Sequence, residues 1–136
     1  KRQLLISRLF ARFMLPVLTV FIIAPAATAG PSISGQWVGK GTVVLSSGAK
    51  ERVRCRVNYG RVAGQTFSLS ARCATGATRI DQSGELERVS KNRYVGQVHN
   101  KQFGVLARVR ITVAGRRQTV AISSRHGRAT ISLKRR

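Results

Sequence analysis

The chain has 136 residues, 25 of them basic and 4 acidic, for a net charge of +21. That length holds one domain and not two, and a surplus this large opposes compaction while drawing the protein to polyanions. Four acids, two histidines and two cysteines leave little material for a metal centre or an acid–base site.

The first 29 residues have the three-part layout of a cleavable export signal. Lys1, Arg2, Arg8 and Arg12 form a basic start, Phe13–Ile23 is an apolar run, and Ala27-Thr28-Ala29 is a small-residue cleavage site. A spanning helix needs about 20 apolar residues; this run is shorter and holds Pro16 and Thr19. Cleavage after Ala29 removes those four charges and lowers the net charge from +21 to +17. The expected location is therefore periplasmic or secreted, with residues 1–29 a signal helix and 30–136 a single domain. In an oxidising compartment the two cysteines, Cys55 and Cys73, are expected to form a disulfide.

After Gly30, short β-branched runs alternate apolar and polar residues, and turn residues recur at short intervals. Eight strands are expected, about Gly35–Ser46, Glu51–Gly60, Thr66–Ala74, Thr78–Glu87, Arg93–Asn100, Phe103–Ala114, Thr119–Ser124 and Ala129–Lys134. Short connections favour antiparallel neighbours in sequential order. Eight such strands close most economically into an up-and-down barrel, which removes exposed edges. Val53, Cys55, Val57 and Tyr59 share one face of the second strand, and Arg52, Arg54 and Arg56 the other. Phe103, Val105, Ala107, Val109 and Ile111 are read as pointing inward from the sixth strand. Cys55 and Cys73 fall opposite each other when the hairpin centres on Gly64, with Ala63-Gly64-Gln65 as a three-residue loop.

Gly35-x-Trp37 at the head of the first strand resembles the opening of the calycin group, which includes lipocalins and avidins. That resemblance implies an eight-stranded barrel with Trp37 packed at its base. The later Thr-Asp-Tyr-type lipocalin motif and the biotin-site aromatics are absent, so no ligand residue is carried over. Gly-Gln-Trp with one early disulfide is also similar to small periplasmic protease and lysozyme inhibitors, likewise eight-stranded barrels. Their inhibitory segments have no match here. The stretches SGAKERVRCRVNY and RCATGATRIDQSG resemble small exported bacterial barrel proteins.

No catalytic constellation is evident, and no enzyme activity, metal or cofactor is expected. Glu85 and Glu87 share the solvent face of one strand, where surface ion pairs with arginine are expected. Ser124 and His126 have no acid nearby to orient the imidazole. The outward arginines are the dominant feature. Arg52, Arg54 and Arg56 form a row with a spacing of about 7 Å, Arg72 follows on the next strand, and Arg108 and Arg110 form a second row. Arg116, Arg117, Arg128, Lys134, Arg135 and Arg136 crowd the last hairpin and tail. Arginine binds phosphate and carboxylate bidentately, so Arg52, Arg54, Arg56, Arg72, Arg108, Arg110, Arg116 and Arg117 are the candidate anion-binding residues. Expected partners are anionic lipid, lipopolysaccharide or an acidic glycan, with an acidic secreted protein as a further target. Nucleic acid is disfavoured, since single-strand binders interleave aromatics with the basic groove. A small-ligand carrier with a site inside the barrel is the alternative, and an inhibitor of a secreted hydrolase the third reading.

Overall fold

The computed structural model describes residues 16–24 and 32–136. Most of the expected signal segment lies outside the described residues, and residues 16–24 have no regular secondary structure. The period-2 alternation resolves into eight strands: β1 Gly35–Leu45, β2 Lys50–Ala63, β3 Thr66–Ala74, β4 Arg79–Ser90, β5 Arg93–Asn100, β6 Val105–Ala114, β7 Arg117–Ser124 and β8 Gly127–Arg135. They form a closed antiparallel barrel in sequential order, sealed by β8 pairing with β1. Among the described residues, the whole core cluster and every strand lie between Ile33 and Arg135, so the closed barrel and its core are built from residues 32 onward.

Alternation places Val53, Cys55, Val57 and Tyr59 inside, facing Leu69, Ala71 and Cys73 of β3 and Val98, Val109, Val120 and Ile131 of the other strands. Cys55 pairs directly with Cys73 and is bonded to it, with Cα atoms 4.1 Å apart. The register is the expected one, but the turn that sets it differs. Ala63 pairs with Thr66, so the turn is two residues, Gly64-Gln65, with Gly64 at φ 54°. A bulge between Arg61 and Ala63 then shifts the pairing back by one residue. The strand therefore runs past Gly60, where a break was expected, because a bulge interrupts alternation without ending the ladder. A bulge between Arg88 and Ser90 likewise extends β4 beyond Glu87.

Phe103 is corrected from core to surface. It lies in the β5–β6 loop and is 54% exposed. The buried Asn100 accepts the Phe103 backbone N–H at 3.0 Å, and Gly104 at φ 63° completes the turn, so β6 starts only at Val105. Leu45, the last residue of β1, is exposed at the barrel's rim. The turn into β7 is Gly115-Arg116 alone, so β7 opens at Arg117, two residues before the expected Thr119.

One end of the barrel is closed. Trp37 is fully buried and its Nε1 donates to the Ile33 carbonyl at 2.8 Å. Ile33, just before β1, is also buried, and its N–H donates to the Tyr94 hydroxyl at 3.2 Å. Arg135 at the end of β8 lies over the Trp37 ring, 4.5 Å from its centroid. Its guanidinium donates to the carbonyls of Ser34 at 2.7 Å and Ser32 at 2.8 Å. Arg135, expected among the outward arginines of the tail, thus joins the first and last strands by stacking and hydrogen bonds.

Tyr59 is buried near this end and donates its hydroxyl to Gln118 Oε1 at 2.7 Å. Burial disfavours the phenolate and pushes this phenol above its ordinary value of 10.0. The folded state therefore holds a proton that the unfolded chain releases above pH of about 10. Stability from this group is complete below that pH and declines as pH rises through it. Melting temperatures across the alkaline range should fall with a one-proton component in the native protein. That component should disappear in Tyr59→Phe.

Candidate functional site

The outward side of β2 is built by alternation alone: each arginine between Val53, Cys55 and Val57 must face solvent. Their neighbours follow from the register. Arg56 lies between Val38 of β1 and Arg72 of β3, and Arg54 lies between Lys40 and Ala74. Val38 in turn faces Lys134 of β8, which faces Arg117 of β7. One cross-strand row therefore runs Arg117, Lys134, Val38, Arg56, Arg72 and ends at Asp81 on β4.

Short side chains between the long cations make this flank concave. A hollow of about 580 Å³ lies among Val38, Arg54, Arg56, Arg72, Arg79 and Arg136. It shares Arg56 and Arg72 with a second hollow of about 630 Å³ that reaches Asn58, Ser70, His99 and Lys101. It shares Val38 and Arg54 with a third of about 550 Å³ bordered by Lys40, Arg117 and Lys134. The three form one cationic trough across β7, β8, β1, β2 and β3, reaching β4 and β5 at its border.

Within the described residues this charge is almost uncompensated. Arg72 Nε donates to Asp81 Oδ1 at 3.1 Å, with both side chains largely exposed, so the pair contributes little. The expected ion pairs at Glu85 and Glu87 do not form among the described residues. Glu87 accepts the Thr66 hydroxyl at 2.7 Å, and Glu85 stands opposite Ser68 and Gln97. Arg56 and Arg72 sit directly opposite each other as like charges, an arrangement that destabilises a sheet unless an anion bridges it.

The eight candidate arginines do not form one patch. Arg52, Arg54, Arg56, Arg72 and Arg117 belong to the trough side. Arg108 and Arg110 face outward from β6, beside Gln97 and Val95 on one side and Ser123 and Ala121 on the other. β6 is four strands from β2 in either direction, so this row stands on the opposite wall. Arg116 sits in the β6–β7 turn at the closed end. Ser124 and His126 meet through the backbone: the His126 N–H donates to the Ser124 hydroxyl at 3.1 Å.

The barrel interior offers a smaller space. At the end opposite Trp37 an apolar vestibule of about 140 Å³ is lined by Val43, Val53, Ile80, Ala107, Ile122 and Ile131. Gln82, Ser124, His126 and Arg128 supply its polar rim. A void of about 20 Å³ lies deeper, against the disulfide. Ligand pockets usually measure about 300–1,000 Å³, so the packed core leaves room only for a small group.

No family model and no curated protein matches the sequence. Solved structures match its fold. A redesigned β-barrel, mFAP1, bound to DFHBI, superposes with a TM-score of 0.64 at 14% identity, over 75% of this chain and 94% of that one. A de novo designed fluorescence-activating β-barrel gives a TM-score of 0.60 at 14% identity, over 76% of this chain and 93% of that one. A second redesigned barrel, b11L5F_LGL, gives 0.60 at 11% identity, over 76% and 90%. At these identities the likeness establishes the closed eight-stranded barrel and nothing about ligands.

Proposed function

We propose that this is an exported, non-enzymatic barrel that binds an anionic component of the cell envelope through its arginine-rich flank. The observation that carries the reading is the continuous trough in which Arg54, Arg56 and Arg72 join three adjoining hollows. A surface spanning five strands suits an extended, multiply charged chain better than a single headgroup. An acidic glycan or the polysaccharide of lipopolysaccharide is therefore preferred to a lone lipid. The three-part layout of residues 1–29 supports export; protein recovered from the periplasm should begin at Gly30.

The test uses residues 30–136 and an immobilised acidic polysaccharide, with neutral dextran as control. Binding should be strong at about 0.1 M salt and lost near 1 M, where the screening length falls to about 3 Å. An arginine near an anionic surface contributes about 1 kcal/mol. The triple change Arg54→Gln, Arg56→Gln and Arg72→Gln should therefore weaken binding about 100-fold. Neutralising Arg108 and Arg110 on the opposite wall should change it less than about threefold, the range of a distant exposed charge. Equal effects from both walls would refute a localised site. Failure of the native barrel to bind would refute the polyanion reading.

The vestibule favours a second reading, a carrier of a small apolar group. The mFAP1 barrel is bound to DFHBI, and a space of about 140 Å³ here admits only part of such a ligand. A salt-resistant complex that Ala107→Leu abolishes would identify it.

A further inference from the structure

Two hairpins at the closed end repeat one design. In the β2–β3 hairpin, Arg61-Val62 is followed by Phe67; in the β4–β5 hairpin, Arg88-Val89 is followed by Tyr94. In both, the pairing register shifts across the valine, between Arg61 and Ala63 and between Arg88 and Ser90. In both, the arginine lies over the following aromatic ring at 5.5 Å from its centroid. Phe67 and Tyr94 meet edge to face at 5.4 Å inside the barrel. The aromatics close the core, the arginines cover them, and the bulged valines point away.

A residue in a bulge has no partner opposite it and no place in the core. A polar side chain is the inexpensive occupant of such a position, yet both hold valine, and each is 58% exposed. The two tips are neighbours: the Arg88 N–H donates to the Gln65 carbonyl in the other turn at 2.9 Å. At the other end, exposed Leu45 lines the vestibule, Phe103 lies in the β5–β6 loop and Leu106 faces outward from β6; Val62 and Val89 line none of the hollows described above. Around the tips stand Arg61, Lys91, Arg93 and Arg116, against one acid at their edge, Glu87, whose carboxylate accepts the Thr66 hydroxyl.

We infer that the closed end is a bilayer-docking face, on which Val62 and Val89 enter the interfacial region of an anionic membrane while the surrounding cations hold its headgroups. Charge complementarity selects an anionic bilayer as the occupant, since apolar tips set among Lys and Arg are the pattern of interfacial attachment. A stable protein partner buries about 800 Å² on each side, far more than two valines provide. The arrangement would stand the barrel on the membrane with its cationic trough facing sideways, free for a second anionic chain. It rests on the proposed export to an anionic envelope but uses different residues from the trough.

The experiment measures partition of residues 30–136 into phosphatidylglycerol–phosphatidylcholine vesicles and into phosphatidylcholine vesicles, with acidic-polysaccharide binding measured in parallel. The native barrel should prefer the anionic vesicles and keep residual binding near 1 M salt, where charge is screened and apolar insertion is not. Val62→Ser with Val89→Ser should lower partition about tenfold and abolish the salt-resistant part, with polysaccharide binding unchanged. Val62→Trp should strengthen partition and shift its emission to the blue on vesicle addition. An unchanged partition in the double serine variant, or no vesicle binding by the native barrel, would overturn the docking face. The trough reading would survive either result if polysaccharide binding persisted, and would fall only with that binding.

Discussion

Gly39→Ala is expected to abolish cooperative melting of the barrel or lower its midpoint by more than about 20 °C, the shift that about 4 kcal/mol produces in a domain of this size. Gly39 lies on the inner side of β1, opposite Leu133 of β8. A Cβ placed there would stand 1.8 Å from the Ser132 carbonyl oxygen, and one at Gly41 would stand 2.0 Å from that of Thr130. Both obstacles are backbone, so no rotamer change relieves them. The strands would have to separate at the seam where the sheet closes on itself. Gly84 and Gly96 repeat the situation across β4 and β5, with distances of 1.9 Å to the Gln97 oxygen and 2.0 Å to the Glu85 oxygen. Glycines at these points let two backbones approach where a coiled sheet bends most. A folded domain commands only about 5–15 kcal/mol in all, and self-repulsion draws on that. Gly76→Ala is the control, since an added Cβ there meets nothing within 4 Å. Thermal denaturation followed by circular dichroism separates the two. A normal transition in Gly39→Ala would show that the seam is looser than its geometry.

Cys55→Ala with Cys73→Ala should cost about 3 kcal/mol in the chain-entropy model of a loop of this length, or about 15 °C in melting temperature. The bond spans a sequence separation of 18 and lies on the inner face of consecutive strands. Its contribution should depend on salt. The outer side of the same two strands carries Arg54, Arg56 and Arg72 with one acid beside them, so the bond holds together a hairpin whose other face repels itself. Raising salt from about 0.1 M to about 1 M shortens the screening length from about 10 Å to about 3 Å. Part of the lost stability should return with it. Melting curves of both forms at the two salt concentrations test this; a deficit independent of salt would show that repulsion across Arg56 and Arg72 is negligible.

Strand number, order and inner faces were legible because alternation is a local signal and every connection is short. The Cys55–Cys73 register was legible for a less direct reason. A three-residue loop without a bulge and a two-residue turn with one give the same pairing, so the centre at Gly64 was right while the turn was not. Val62 and Val89 escaped notice because a bulge breaks the alternation that defines a strand on paper. The role of Arg135 depends on Trp37 facing it across the closing seam, a long-range pairing that no local pattern carries. The arginine rows were visible as rows, but their walls were not. That assignment needed the strand order around the barrel, which sets β6 opposite β2.

The Trp37–Arg135 seam also sets the order of events during folding. The contacts among β2 to β7 are between successive strands and can form as hairpins, while β1 keeps one unpaired edge until β8 arrives from the far end of the domain. Long-range pairing of this kind is slow, so a species with two open edges should precede the closed barrel. Open edges invite pairing between molecules. Lys40 on β1 and Arg128 and Lys134 on β8 line those edges. The charge that burdens the finished barrel would therefore keep half-built copies apart until the seam closes.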